Sequence, residues 1–269
     1  MRFLLEPRGS SDLAVISGAA AAAGAAGLDG VLLAESDALP APLVLAAALA
    51  GRVADVLVAA EIGLGDRHPL EVAEEAVVTD LALGGRLVLA VRPAPGCHDR
   101  FADALDVLRH AFTPRPFRIE GEHWRVPANL RSNVWLPEEQ VRATPTPPRV
   151  RLELWTSGAA GRRAALERGL GHLADVGDDP VALAADWVEA ASPATLGAPR
   201  ARRATWEGAR ALVTRLREGR EAFDQDWAVV AGPVEAAAEL GSVVRPRVQL
   251  HRLPPGLEAF WDAEQPWDR

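Results

Sequence analysis

The chain contains no lysine and no tyrosine, and it has only one cysteine. A single cysteine, Cys97, excludes an intramolecular disulfide and fits a reducing compartment, so we expect the protein in the cytoplasm. Apolar runs long enough to cross a bilayer without charged or turn residues are also absent, so no membrane partner is expected. The weakly apolar stretch 19–26 is interpreted as packed helix and not as a signal peptide, because Glu6 precedes it.

Basic residues are outnumbered, with 29 against 37 acidic residues and a net charge of −8. Nucleic-acid-binding surfaces are normally basic, so this balance argues against a nucleic-acid partner. Hydrophobic residues make up 49% of the 269 residues, which allows a sizeable core. The length suits one α/β barrel, so we expect a single domain over 1–269.

Short apolar runs alternate with helical patterns through the first 112 residues. The clearest unit is 68–92, where Pro69 begins a helix without losing a hydrogen bond and Gly84-Gly85 ends it. Residues 86–91 then form an apolar run that is typical of a parallel strand buried on both faces. Four such units in succession predict half of a TIM (β/α)8-type barrel, with a doubly wound open sheet as the alternative.

The proline-rich stretch 113–149 interrupts this alternation. Within it, residues 117–126 alternate apolar and polar side chains around Gly121, which predicts a hairpin. An insertion of this length in a barrel is commonly functional, as a lid or a dimer contact. The other interpretation is a surface hairpin that packs on the barrel.

The second half of the chain gives a weaker pattern. Strands are predicted at 150–155 and 171–176, while 192–203 predicts a loop. The run 227–230 is only a weak strand signal, and 248–252 predicts the last strand. The sequence therefore leaves open a barrel shortened by one strand in its seventh-strand region.

Candidate chemistry lies where the predicted strands end, because working groups of a barrel project from the carboxyl ends of its strands. Glu6, Glu35 and Glu61 end the first three strands, and Arg92 ends the fourth. The three carboxylates can act as acid and base, or hold a divalent cation through oxygen ligands. They can equally pair with arginines of the barrel rim, namely Arg8, Arg92 and Arg162.

The strongest anion-binding signal is the stretch 156–165, which opens a helix directly after a strand. Gly158 and Gly161 let the backbone come close to a ligand, and free N–H groups at a helix start favour anions. Ser157 adds a hydroxyl, and Arg162 adds a charged donor. The alternative is an ordinary helix cap with a glycine turn.

Several of these motifs resemble the bacterial luciferase-like flavin oxidoreductase family. They are the His-Pro helix opening with its Ala-Glu-Glu, then Asp80-Leu81, and the Gly-Gly-Arg-Leu before an apolar strand. The phrase 117–127, Asp175 and the turn 226–235 are also similar, so the resemblance covers most of the chain. Two places depart from the family. Glu35-Ser36-Asp37 stands where a histidine is common, and Arg92-Pro93 stands in place of a glycine-rich turn under the flavin ring.

The resemblance implies an oxidoreductase or monooxygenase that uses reduced FMN or a deazaflavin coenzyme on a small organic substrate, within a homodimer or heterodimer. It places the flavin phosphate at Ser157, Gly158, Gly161 and Arg162, and the ring or substrate near Glu35, Glu61 and Arg92. One alternative is a shortened, non-catalytic barrel that serves as a binding or partner subunit. Another is a metal-dependent barrel enzyme built on Glu6, Glu35 and Glu61.

Overall fold

The structure is a computed structural model, and it describes residues 1–8, 11–53, 55–127, 140–147, 152–190 and 198–249. Eight parallel strands form a closed barrel in the ring order β1-β8-β7-β6-β5-β4-β3-β2. The strands are β1 (Arg2–Pro7), β2 (Gly30–Ala34), β3 (Leu57–Leu64), β4 (Leu87–Pro93), β5 (Glu153–Ser157), β6 (Gly171–Ala174), β7 (Arg200–Thr205) and β8 (Trp227–Gly232). The TIM-barrel prediction is therefore confirmed, and the open-sheet alternative is wrong.

Helices follow the strands and cover the outside of the barrel. They are α1 (Leu13–Ala25), α2 (Pro42–Ala48), α3 (Pro69–Ala82), α4 (His98–Ala111), α5 (Gly158–Arg168), α6 (Pro180–Glu189), α7 (Ala209–Phe223) and α8 (Ala236–Glu239). A π-helical turn (Leu240–Val244) joins α8 to α9 (Arg245–Gln249). None of the helices in the described ranges is long and apolar enough to cross a membrane.

The barrel is complete, so the expected loss of one strand is wrong. The predicted loop 192–203 overlaps β7, which pairs with β6 at Leu173↔Ala201 and with β8 at Val229↔Arg203. The weak strand signal at 227–230 is the full strand β8, which closes the ring by pairing with β1 in parallel. β7 was not predicted as a strand because it contains three arginines, whereas strands are normally recognised by β-branched and aromatic residues.

The prediction of a last strand at 248–252 is also wrong for the residues that are described. Val248 lies in α9, and 250–252 fall outside the described residues. Val244 and Val248 are four residues apart, which is helical spacing, and both are fully buried against the core.

The core has two parts, one between strands and helices and one inside the barrel. Inside the barrel, Trp155 and Trp227 meet edge to face with ring centroids 5.0 Å apart. Gly171 makes room for them, because a Cβ at that position would lie 2.3 Å from Cδ1 of Trp155. The lower interior is thus filled with side chains, which leaves the carboxyl ends of the strands as the face open to chemistry.

The hairpin prediction is confirmed by two short antiparallel strands, Ile119–Glu120 and Arg125–Val126. Trp124 packs edge to face on His68 at 5.2 Å, at the start of α3. The backbone N–H of His123 donates to Asp103 of α4 at 2.7 Å. The described part of the insertion 113–149 therefore lies against α3 and α4. Residues 128–139, which include Trp135, fall outside the described residues, and a lid or dimer role stays a prediction.

Candidate active site at the barrel mouth

Four side chains form a polar layer at the barrel mouth, the end at which the strands have their carboxyl ends. Glu6 of β1, Glu61 of β3, Ser157 of β5 and Arg203 of β7 come one from each odd-numbered strand. Barrel interiors are commonly filled by layers of four side chains from alternate strands, and those layers are usually apolar. Here one such layer is ionic and hydrogen-bonded, so the barrel wall itself supplies charged groups to the mouth.

Arg203 is the centre of the polar layer. Its Nε donates to Glu6 Oε2 at 2.7 Å, and its Nη2 donates to Glu61 Oε2 at 2.7 Å. Its Nη1 donates to Asp175, just after β6, at 2.9 Å. Burial lowers the pKa of the guanidinium, but Glu61 and Glu6 outweigh burial and raise the pKa above its ordinary value. One permanent cation thus joins carboxylates from β1, from β3 and from the residue after β6.

Glu61 uses both of its oxygens. Oε2 accepts from Arg203, and Oε1 accepts from the Ser157 hydroxyl at 2.6 Å. Glu61 is only 4% exposed and Ser157 only 1%, so both groups are bound within the barrel and not in open solvent. A buried carboxylate is stable only when it is paired and hydrogen-bonded, and Glu61 meets both conditions.

The polar layer and the neighbouring Asp175 together carry more negative than positive charge. Three carboxylates, those of Glu6, Glu61 and Asp175, share one arginine. Burial raises the pKa of Glu6, and Arg203 offsets this only in part. Burial likewise raises the pKa of Asp175, again against the effect of Arg203. These two carboxyls therefore accept protons more readily than free ones, which suits groups that exchange protons with a ligand.

Glu35 belongs to a separate pair. Its Oε2 accepts the backbone N–H of Gly63 at 2.5 Å and lies 3.6 Å from Nη2 of Arg92. Both side chains are about one-third exposed, so the pair lines the open side of the mouth. The sequence prediction of a rim ion pair is confirmed for Glu35 with Arg92.

The other rim pairings predicted from sequence are wrong. Glu6 and Glu61 pair with Arg203, which the sequence placed in a loop. Arg8 donates instead to Thr205 at 3.3 Å, and Arg162 pairs with Asp186 of α6 at 3.3 Å. Within the described ranges, no three His, Cys, Asp or Glu residues are arranged to hold a metal ion. The metal-dependent interpretation therefore has no structural support.

The residues 157–162 form a turn from β5 into α5, called the α5 turn below. Ser157 is the N-cap residue, yet its side chain makes no capping hydrogen bond. The N-cap side chains of α1, α3 and α6, which are Asp12, His68 and Asp179, each accept such a bond from a backbone N–H, whereas α2, α4, α7 and α8 lack one as α5 does. The first N–H groups of α5 are thus left without a side-chain cap, and such groups favour anions.

The two glycines of the α5 turn have different roles. Gly158 has φ +73°, a conformation that favours glycine, and a Cβ there would meet no atom within 4 Å. The space beside it is therefore open to a ligand. At Gly161 a Cβ would lie 3.1 Å from Cβ of Thr156, so this glycine lets α5 pack closely on β5.

Sequence reasoning missed Arg203 and also missed His172. His172 is fully buried on β6, faces away from the barrel interior, and its Nδ1 lies 3.2 Å from Oγ1 of Thr156. Burial lowers its pKa to about 4, so the ring is neutral at pH 7. The alternating pattern of β7, with Ala201, Arg203 and Thr205 on one face, is the only sequence signal for Arg203.

The fold is shared with solved structures of flavin and deazaflavin enzymes. EDTA monooxygenase from Chelativorans sp. BNC1 aligns with a TM-score of 0.74 and 14% identity over 95% of this chain and 95% of its own. The oxygenating constituent of 3,6-diketocamphane monooxygenase from Pseudomonas putida, solved in complex with FMN, aligns with a TM-score of 0.66 and 16% identity, over 92% and 98%.

A third relative is the coenzyme F420-dependent tetrahydromethanopterin reductase from Methanopyrus kandleri, with a TM-score of 0.64 and 12% identity over 92% of this chain and 99% of its own. Neither a protein-family model nor a curated protein sequence matches the chain. The shared fold supports the resemblance to luciferase-like enzymes, and at this identity it establishes the architecture.

The α5 turn fits the phosphate of a flavin coenzyme. It combines an uncapped helix start with open space at Gly158. Arg203 balances the carboxylate of Glu61 beside it, which would otherwise repel an anion. Arg162 is turned toward Asp186, so a phosphate at this turn would be met chiefly by backbone N–H groups.

Proposed function

We propose that the protein is a luciferase-like oxidoreductase or monooxygenase that uses reduced FMN or a deazaflavin coenzyme on a small organic substrate. The observation that carries the proposal is the uncapped start of α5 at the mouth of a closed eight-stranded barrel. That architecture is shared with a monooxygenase solved with FMN and with an F420-dependent reductase. A bound flavin supplies hydride or oxygen chemistry that no amino-acid side chain provides.

In this proposal the chain binds and orients the coenzyme and the substrate. The backbone N–H groups at the start of α5, from Gly158 onward, hold the phosphate, and Arg162 contributes positive charge at the edge of the turn. Ser157 and Gly161 fix the turn against the barrel. Glu35 and Arg92 line the open side of the mouth, where the ring and substrate would meet. Glu61 forms the floor, held by Arg203 and Ser157.

The alternative of a non-catalytic partner subunit loses its main support, because the barrel has all eight strands. Arg92-Pro93 in place of a glycine turn remains a departure from the resembling family. In the structure Nη2 of Arg92 lies 3.6 Å from Oε2 of Glu35, so this arginine is paired at the open side of the mouth.

We also propose that the protein is a dimer, joined through α2 and α3. Val44 and Val78 are 65% and 50% exposed and border a groove of about 550 Å³ between these helices. Sedimentation velocity at micromolar concentration tests this, with Val44→Glu expected to give monomers. Val188→Glu on α6 is the matched control, since Val188 is also exposed. A wild-type monomer, or an equal effect of both variants, would contradict it.

The direct test of the function is a fluorescence titration of the purified protein with FMN and, separately, with the deazaflavin coenzyme. Saturable binding of one coenzyme is expected. The coenzyme that binds more tightly shows whether the reaction depends on FMN or on the deazaflavin. A folded protein that binds neither would overturn the enzyme proposal. We place the enzyme in the cytoplasm on the basis of its single, free and buried cysteine.

A further inference from the structure

Arg203 lies on the strand opposite β3 in the ring, and it reaches Glu61 across the barrel interior. Glu61 in turn accepts from Ser157, the last residue of β5 and the N-cap of α5. One chain of hydrogen bonds, 2.7 Å and then 2.6 Å long, therefore connects β7 through β3 to the α5 turn. Each group in it is mostly or fully buried.

We propose that Arg203 is a positioning residue for the α5 turn and acts through Glu61 and Ser157. This inference rests on the proposed function, because it takes the α5 turn as the phosphate site. It assigns Ser157 the role of a buried anchor whose hydroxyl proton is committed to Glu61. The phosphate is then held by the backbone N–H groups of the turn and not by the Ser157 hydroxyl.

Ser157 needs to be fixed because the residue that follows it, Gly158, is flexible. Gly158 has φ +73° and no side chain in contact, so its backbone has more freedom than that of any other residue type. Its N–H belongs to the peptide that begins at Ser157. Fixing the Ser157 side chain inside the barrel fixes that peptide, and a pre-organised donor binds more tightly than one ordered only on binding.

The arginine is needed because the anchor is charged. Glu61 accepts from Ser157 through Oε1, while Arg203 binds its other oxygen, Oε2. Arg203 supplies the cationic partner that a buried carboxylate needs, and it balances the charge of Glu61 near the phosphate. Without Arg203, Glu61 is a buried carboxylate with no cationic partner, so it holds Ser157 less firmly and repels the phosphate. Both effects weaken binding.

FMN and riboflavin separate phosphate binding from ring binding, because they share one ring and differ in the phosphate. Dissociation constants for both are measured by fluorescence with wild type, Arg203→Met, Ser157→Ala and the double variant. Each single variant is expected to weaken FMN binding about tenfold, the equivalent of freeing one residue of backbone, while riboflavin affinity changes less than about twofold. The double variant is expected to weaken FMN binding no more than the worse single variant, because both changes break one chain.

Arg168→Met is the matched control for a general loss of stability. Arg168 is 14% exposed, close to the 15% of Arg203, and binds both oxygens of Asp106 at 2.9 and 3.0 Å. Arg168 lies at the far end of α5, so Arg168→Met should leave the ratio of the riboflavin and FMN dissociation constants unchanged. Equal losses for both ligands in Arg203→Met, or additive losses in the double variant, would overturn the inference. Wild type that binds neither the flavins nor the deazaflavin coenzyme would instead overturn the proposed function. If wild type binds only the deazaflavin coenzyme, that coenzyme and its phosphate-free form replace FMN and riboflavin in the same comparison.

Discussion

Arg203 of β7 and Glu61 of β3 are joined by a 2.7 Å hydrogen bond between strands that lie opposite each other in the barrel. The side chain of Arg203 crosses the interior and ties opposite walls of the barrel together at the mouth. Because the same arginine holds Glu6 and Asp175, strands β1, β3 and β7 and the end of β6 all depend on it. The stability of the barrel and the geometry of its mouth are thereby linked.

Replacing Arg203 with methionine should destabilise the protein by about 3 kcal/mol at pH 7, the usual cost of leaving a buried charge unpaired. Burial already raises the folded-state pKa of Glu6 above its unfolded value, and removing the arginine raises it further. A carboxyl of that kind contributes stability at low pH that is lost as pH rises, so the deficit should shrink at pH 5. Urea unfolding at both pH values measures it, and a deficit that grows toward pH 5 would contradict the electrostatic explanation.

The buried imidazole of His172 should make the protein sensitive to mild acid. Its folded-state pKa of about 4 lies below the ordinary value of 6.5, so the unfolded chain binds the extra proton between these values. Stability is fully present above pH 6.5 and is lost as pH falls toward 4. The loss from this group should reach about 3 kcal/mol.

Urea unfolding from pH 7 to pH 4.5 with His172→Asn checks this. The variant should be less stable at pH 7 but lose less stability than wild type on acidification. His98→Asn is the control, since His98 is exposed at the start of α4 and should leave the wild-type slope unaltered. Parallel curves for wild type and His172→Asn would show that His172 is not the sensitive group.

Gly171→Ala should lower the free energy of unfolding by about 2–3 kcal/mol, because an overpacked core forces neighbouring side chains and backbone out of place. The new Cβ would lie 2.3 Å from Trp155, which is held by Trp227 and by a hydrogen bond to Glu153. Gly18→Ala is the opposite case. A Cβ there meets nothing within 4 Å in the middle of α1, and a gain of roughly 0.5–1 kcal/mol is expected. Thermal unfolding of both variants is the measurement, and equal stability of Gly171→Ala and wild type would show that Trp155 can move.

Local signals were sufficient to predict the first half of the fold. Pro69 and the pair Gly84-Gly85 bracket α3 at Pro69–Ala82, and the apolar run that follows is β4. These features act within a few residues of one another, so a single sequence reveals them. The α5 turn was predicted in the same way, from small residues between a strand and a helix.

Long-range signals explain what was missed. Arg203 is stable inside the barrel only because Glu6 and Glu61, far away in sequence, supply its acceptors. Arg202, also buried, donates to the backbone carbonyl of Asp178 at 3.2 Å. Without those partners in view, an arginine-rich stretch indicates a solvated loop. The whole of β7, and with it the centre of the polar layer, was therefore beyond local reasoning.

The most direct test of the account is the location of the phosphate. Ala159 is exposed in the first turn of α5, where a glutamate favours the helix dipole but repels a bound phosphate. Ala159→Glu should therefore be at least as stable as wild type, should lose FMN affinity by more than about tenfold, and should keep riboflavin affinity. Ala185→Glu, with the same added charge on the exposed face of α6, should bind both flavins like wild type. Unchanged FMN affinity in Ala159→Glu would place the phosphate elsewhere and contradict the account.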